Sequence, residues 1–188
     1  MILKRLIHMG LSLAFMAGLA YFFVTQLQGR QLEIEVTEQQ VQQVVASGFP
    51  KTKRLMQLTE LRLENPRIKL DDQQNRLHAR LETRLQLQGI PIPVKGHIIA
   101  SGKLDYHPQE NTFFLKEIEV QRIDVKGLPD SVENRLRDGM TLFTREALGA
   151  VPVYQLQEKD LSERAAKMVL KKVRVEQGKM VLTMGVGG

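Results

Sequence analysis

Residues 77–88 read LHARLETRLQLQ and alternate between apolar and polar side chains. The apolar positions are Leu77, Ala79, Leu81, Leu85 and Leu87, with Thr83 as the one polar residue among them. Successive side chains of a strand point to opposite faces, so the pattern predicts a strand with one buried and one wet face. Such strands are typical of antiparallel sheets. This is the clearest strand of the chain, and we expect its neighbours to pair with it.

Further strands are predicted on both sides of this segment. One strand ends near Asn65 and Pro66, and Ile68 and Leu70 continue it after a bend. Residues 71–75, DDQQN, form a turn by composition. Its two aspartates are interpreted as hydrated turn residues, because no further ligands follow at the spacing of a calcium loop. After the proline-rich residues 90–93, another strand is predicted over residues 98–106.

The next strand, over residues 112–125, changes parity along its length. Its apolar residues are Phe114, Ile118 and Val120 on one face, then Ile123 and Val125 on the other. A bulge near Gln121 and Arg122 would bring both groups to the same side. The bulge would also curl the sheet.

One long amphipathic helix is predicted after this strand. Asp130 can cap it, apolar residues recur at steps of three and four as far as Ala147, and Gly149 ends it. A helix of about 18 residues is about 27 Å long. Gly139 costs about 1 kcal/mol relative to alanine, which we interpret as room for a strand to approach. The expected fold class is α+β, with a curved antiparallel β-sheet wrapped around this helix.

The two ends of the domain carry local signals. Thr37 follows a predicted strand over residues 32–36 and forms a capping box with Gln40, and the helix that begins there ends at Gly48. Asp160 is predicted to cap a short helix. A closing hairpin turns at Gln177 and Gly178. Its predicted pairs are Val173 with Leu182, Val175 with Met180, and Glu176 with Lys179.

An apolar run precedes the domain. Residues 6–24 contain no Lys, Arg, Asp or Glu and follow Lys4 and Arg5. A run of about 20 apolar residues spans a bilayer as one helix, which predicts a transmembrane signal anchor. The positive-inside rule places its N-terminus in the cytoplasm and the body in the periplasm. The alternative is a secretory signal peptide cleaved near Ala20. The predicted anchor residues are Leu6, Ile7, Leu11, Leu13, Phe15, Leu19, Phe22, Phe23 and Val24.

The expected organisation follows the chain in order. It comprises a cytoplasmic n-region at 1–5, a transmembrane signal anchor at 6–24, a linker at 25–31, a periplasmic α+β domain at 32–184 and a flexible tail at 185–188. A single-pass protein of the inner membrane is therefore expected. The absence of cysteine fits an oxidising compartment.

Composition and missing motifs narrow the function. The chain has 27 Lys+Arg, 21 Asp+Glu and only 5% aromatic residues, without the concentrated basic face and stacking aromatics of nucleic-acid binders. No nucleophile elbow, phosphate-cradling glycine loop or zinc-protease motif occurs. His78, His97 and His107 fall on wet or turn positions and are not expected to form a zinc site. We therefore expect no enzyme activity, no cofactor, no metal and no nucleic-acid partner.

Three segments resemble a known family. They are residues 36–40, VTEQQ, residues 151–156, VPVYQL, and residues 169–182, VLKKVRVEQGKMVL. The chain after residue 30 resembles the YceB-like family of Gram-negative envelope proteins, whose function is poorly defined. The resemblance implies a module of the tubular lipid-binding superfamily, a curved sheet rolled around a long helix. Members are often lipoproteins with an acylated cysteine, which this chain lacks, so residues 6–24 would replace that anchor.

Two functions are expected from these observations. The first is a non-catalytic, membrane-anchored periplasmic protein that binds a phospholipid or acyl chain between sheet and helix. The same side chains would equally form a solid core, and the alternative is an envelope scaffold or adaptor that binds a protein partner. An enzyme acting on lipid or peptidoglycan lacks a candidate nucleophile. The predicted ligand-lining residues are Leu77, Leu81, Leu85, Ile98, Leu104, Ile118, Val120, Leu136, Met140, Phe143, Met180 and Leu182.

Overall fold

A computed structural model describes residues 32–55, 59–89, 92–128, 130–156 and 168–186. The predicted membrane anchor, the linker and the short helix at Asp160 lie outside the described residues. No helix in these described ranges is long and apolar enough to cross a membrane. The elements in order are β1 (Leu32–Thr37), α1 (Glu38–Ser47), β2 (Lys51–Leu55), β3 (Thr59–Asp71), β4 (Arg76–Leu87), β5 (Val94–His107), β6 (Thr112–Val125), α2 (Asp130–Gly149), β7 (Tyr154–Gln155), β8 (Met168–Glu176) and β9 (Lys179–Val186).

The predicted fold class is wrong, because most of the described chain is strand and the strands form two sheets. One sheet has the order β1–β9–β8, and the other has the order β2–β3–β4–β5–β6–β7. Every described strand pair is antiparallel. The protein is therefore not one sheet wrapped around one long helix. Periodicity shows which face of a strand is buried, but it does not show that β1 leaves its sequence neighbours to pair with β9.

The two helices occupy separate places. The capping box of α1 is confirmed, since Thr37 donates its N–H to Gln40 Oε1 at 2.8 Å and Thr37 Oγ1 accepts from the Gln40 N–H at 3.3 Å. The predicted helix after residue 129 is present as α2, which contacts β6 and β2. Helix α1 contacts β3, β1 and β7. Side chains from both sheets and both helices share one hydrophobic cluster.

Three bulges keep the long strands facing the core. In β3 the register shifts between Glu64 and Arg67, where Asn65 has a φ of 48°. The predicted bulge of β6 at Gln121 is confirmed by the register shift against Ile99 and Ala100. Another β6 bulge, at Glu117 with a φ of 48°, was not expected. Because of it, Phe113 is fully buried and the predicted inward Phe114 is only half-buried.

Side chains of α1 complete an edge of β3. Strand β2 pairs with β3 only between Thr59 and Leu63. Beyond that point Gln42 donates its side-chain N–H to the Pro66 carbonyl at 2.7 Å, and its Oε1 accepts from the Ile68 N–H at 2.8 Å. One glutamine thus satisfies a donor and an acceptor that a strand would otherwise pair.

The turn between β3 and β4 joins the two sheets. Asn75 Oδ1 accepts from the Val175 N–H at 2.6 Å, and Asp72 Oδ1 accepts from the Gly178 N–H at 3.1 Å. The interpretation of the turn as merely hydrated is therefore incomplete. The β8–β9 hairpin that it holds has the predicted register, with Glu176 opposite Lys179. Strand β9 continues to Val186, two residues beyond the expected end of the domain.

The bridging role of Gln42 is testable. We expect Gln42→Ala to lower the free energy of unfolding by about 1–2 kcal/mol, because a half-buried amide N–H and carbonyl lose their partner. Gln43→Ala, on the exposed side of the same helix, should stay within about 0.5 kcal/mol of the parent. Urea unfolding monitored by circular dichroism measures both. Equal stability of the two variants would contradict the bridge.

Gly139 supports a second prediction. A Cβ built there meets only the Leu55 side chain, at 3.5 Å or more, so no strand backbone requires the glycine. Gly139→Ala should therefore raise the free energy of unfolding by about 0.5–1 kcal/mol. Gly96→Ala is the contrasting control, because its Cβ would lie 2.3 Å from the Asp124 carbonyl oxygen. The prediction fails if thermal and urea unfolding show Gly139→Ala to be destabilised.

Candidate functional site

The predicted ligand-lining residues lie in the hydrophobic cluster. Leu104, Ile118 and Val120 are half-buried at its margin. The others are at most 6% exposed, and they are Leu77, Leu81, Leu85, Ile98, Leu136, Met140, Phe143, Met180 and Leu182. The structure brings all twelve together with further buried side chains as packing partners. Contact with a lipid stays a prediction, and the predicted anchor residues lie outside the described part of the chain.

The polar chemistry lies on the opposite side of the large sheet. We call this the outer face: the side chains of β3 to β6 that point away from the hydrophobic cluster. The strand register places three neighbouring rows of these side chains at the centre of this face, each perpendicular to the strands. The first basic row is Arg62, Arg84 and Lys95; the acidic row is Glu64, Glu82, His97 and Asp124; the second basic row is Arg67, Arg80, Ile99 and Arg122.

The first basic row is compensated by the acidic row. Directly opposite like charges destabilise a sheet, and Arg62 lies opposite Arg84. Glu64 accepts from Arg62 Nε at 3.0 Å and forms an ion pair with Arg84 Nε. The second contact lacks hydrogen-bond geometry, since Glu64 Oε1 has no hydrogen-bond partner among the described residues. The Glu64 side chain is only 12% exposed, so its charge acts in a partly dehydrated setting.

The second basic row is compensated much less. Arg67 lies directly opposite Arg80, and both side chains are exposed. Glu82, the nearest carboxylate along the strand, accepts from the Asn65 side-chain N–H at 2.8 Å. Within the described residues, no carboxylate lies at ion-pair distance from Arg67, Arg80 or Arg122. Cationic charge is therefore left facing solvent.

Two clefts meet at the β3 bulge and share Asn65 and Arg67. One has a volume of about 390 Å³ and is lined by Gln42, Ala46, Phe49, Pro50, Arg62, Glu64, Asn65, Pro66 and Arg67. The other, the arginine cleft, has about 340 Å³ and is lined by Asn65, Arg67, Arg80, Glu82, Gly96 and His97. A third cleft, of about 500 Å³, lies beside the β3–β4 turn. The predicted ligand-lining residues line none of these three clefts.

Another polar cluster supports the backbone. Arg76 donates to Ser101 Oγ at 3.2 Å and to the Glu117 carbonyl at 2.7 Å, and it pairs with Glu119 at 3.1 Å. Its side chain is 11% exposed. Because Glu117 is the residue with positive φ, this arginine holds the unexpected β6 bulge. The Lys103 ammonium group, bonded to the Glu117 carboxylate, lowers the pKa of that carboxyl.

The histidines do not converge on a metal. His78, His97 and His107 each lie near a different aspartate, at 3.2, 3.7 and 3.4 Å. No group of three or more metal-ligating side chains occurs in the described ranges. The pKa of Asp71, the partner of His78, is lowered mainly by the backbone N–H of Gln74. The pKa of Asp105, the partner of His107, is lowered mainly by its hydrogen bond from Lys116.

The rows of the outer face cannot be predicted from the sequence alone. The alternating charged residues of β3 and β4 are visible in the sequence, but their pairing depends on the hairpin register. The bulge at Asn65 moves that register by one residue between Arg67 and Glu64. The sequence signal for it was the change of buried parity from Leu63 to Ile68.

The fold and site define a mostly β protein with a charged sheet surface. The model of a family described as "Protein of unknown function (DUF1439)" matches residues 36–179, and the chain belongs to this family. No curated protein matches the sequence. A solved structure, a lipopolysaccharide binding protein, matches with a TM-score of 0.28 and 10% identity over 84% of this chain. The chain spans 50% of that structure, and so low a TM-score supports no conclusion about fold or function.

Charge compensation by Glu64 can be measured. Glu64→Gln should lower the free energy of unfolding by about 1–2 kcal/mol, because Arg62 and Arg84 then lie opposite each other without the carboxylate that contacts both of them. The deficit should shrink between about 0.05 M and 1 M salt, where screening weakens the repulsion. Glu60→Gln, exposed on the same strand, is the matched control. A deficit that does not depend on salt would rule out electrostatic compensation.

Proposed function

We propose that the protein is a non-catalytic envelope scaffold or adaptor that binds a protein partner through its surface. The observation that supports this function is the packing of the predicted ligand-lining residues as core. Protein cores are close-packed, and removing contacts from them costs free energy. A ligand in the interior would have to separate side chains such as Leu81, Ile98 and Met140, which are 0–1% exposed. A partner that binds the charged groups of the outer face would not have to separate any core side chains.

The cellular setting is part of the proposal. Residues 6–24, preceded by Lys4 and Arg5, support a single-pass anchor in the inner membrane with the domain in the periplasm. We also propose that the chain is a YceB-like member of the DUF1439 family. This assignment is supported by residues 36–40, which form the cap of α1, and by residues 169–182, which form most of the closing hairpin.

One observation favours a hydrophobic ligand as the second candidate. Leu104, Ile118 and Val120 are half-buried at the margin of the cluster. An acyl chain bound there would gain roughly 0.8 kcal/mol per buried CH₂. Such a ligand would lie at the margin of the core and would leave the fully buried side chains in place.

Native mass spectrometry of the full-length chain, released from a non-ionic detergent, tests these alternatives. We expect the apo mass, with no stoichiometric lipid in an organic extract, because the interior is occupied by side chains. Protein cross-linking in intact membranes of the expressing cells should then yield a defined adduct from the outer face.

A phospholipid at one copy per chain would overturn the solid-core proposal and support the second candidate. The matched control is the same preparation incubated with added phospholipid before release. An apo mass in both samples, together with no specific cross-linked partner, would contradict both candidates.

A further inference from the structure

We propose that the arginine cleft on the outer face binds a phosphate group through Arg67 and Arg80, with Arg122 adding a third cation at its side. Phosphate is the shared chemistry of free inorganic phosphate and of phospholipid headgroups. The site goes beyond the scaffold function proposed above and does not depend on it. Partner binding and phosphate binding can fail separately.

The register brings the two main ligands together. Arg67 and Arg80 are directly opposite on β3 and β4, where the Cβ atoms of opposite residues lie about 4.5–5.5 Å apart. Arg122 continues the row on β6, with Ile99 of β5 between it and Arg80. A guanidinium group is planar and binds phosphate oxygens with two parallel N–H donors. Two such groups side by side can hold one phosphate between them.

The arginines of the two basic rows differ in whether they have a carboxylate partner. In the first basic row, Glu64 pairs with both Arg62 and Arg84. Next to the second row, Glu82 accepts a hydrogen bond from the side-chain amide of Asn65 and forms no ion pair with Arg80. Directly opposite like charges carry a cost, and here no described carboxylate lies close enough to either arginine to offset it through an ion pair. An anion bound between the two arginines would offset this repulsion.

The cleft has suitable volume and a mixed charge. Its volume of about 340 Å³ is room for many water molecules, so the size of the cleft does not prevent a hydrated phosphate group from entering. Asn65 and His97 supply further polar atoms at the wall. Glu82 also lines the cleft and must repel an anion. Removing an arginine charge should therefore weaken phosphate binding, whereas removing the charge of Glu82 should strengthen it.

The experiment uses the full-length chain in neutral detergent micelles, at fixed ionic strength. Isothermal titration with inorganic phosphate is the first arm. Titration with the same micelles containing phosphatidylglycerol is the second arm. Arg67→Gln and Arg80→Gln should each weaken binding about tenfold, as expected for lost hydrogen bonds between charged groups. Glu82→Gln should strengthen binding several-fold because it removes the repelling charge.

Lys95→Gln is the matched control. Lys95 carries the same charge on the same face but lies in the first basic row, beyond the acidic row. At about 0.15 M salt the Debye length is about 8 Å, so its loss should change binding less than about twofold. The stability of the two arginine variants should be unchanged or slightly higher, since each removes a like-charge pair. Thermal unfolding of each variant therefore excludes misfolding as the cause of lost binding.

The outcomes separate the sources of phosphate. Arginine-dependent binding in the first arm supports the site with free phosphate as a sufficient ligand. Arginine-dependent binding in the second arm alone supports the site with a lipid headgroup as the source. Binding in neither arm overturns the proposal. Equal weakening by Lys95→Gln and by the arginine variants also overturns it, because net charge would then explain the effect.

Discussion

The bulge at Asn65 and Pro66 is the constraint on which the large sheet depends. Leu61 and Leu63 are buried at odd positions of β3, whereas Ile68 and Leu70 are buried at even positions. With a side-chain period of two, the one extra residue at the bulge allows both sets to be buried. Asparagine tolerates the left-handed conformation that this requires, and Asn65 has a φ of 48°. Proline has no N–H to leave unpaired, and Gln42 binds the carbonyl of Pro66.

The same bulge organises the outer face. It shifts the pairing of β3 with β4 by one residue, so that Arg67 meets Arg80 on one side and Glu64 meets Glu82 on the other. Without the shift, the residues that face the core at one end of β3 would face solvent at the other. The core pattern and the charge rows are therefore consequences of one local irregularity. The two adjoining clefts share Asn65 and Arg67 for this reason.

Local structure could be predicted from the sequence, and long-range pairing could not. The Thr37 capping box, the hairpin at Gln177 and Gly178 and the bulge at Gln121 each depend on residues close in sequence, and all three are confirmed. The fold class depends on the second sheet, in which β1 pairs with β9. The alternation of residues in β1 predicts a strand but does not show which strand pairs with it. The bulge at Glu117 cannot be predicted from the neighbouring sequence, because the side chain that binds its carbonyl, Arg76, lies 41 positions away.

Solubility alone does not explain the arginines of the second basic row. Charged residues on sheets often protect exposed edges from pairing with other chains. Arg80 lies on β4, which is paired on both sides, by β3 and β5. A single cation there would keep the face wet without the cost of a directly opposite arginine. The acidic row compensates the first basic row. A carboxylate beside Arg67 and Arg80 could compensate this pair in the same way. The excess of positive charge in this row is the feature that the proposed phosphate site would use.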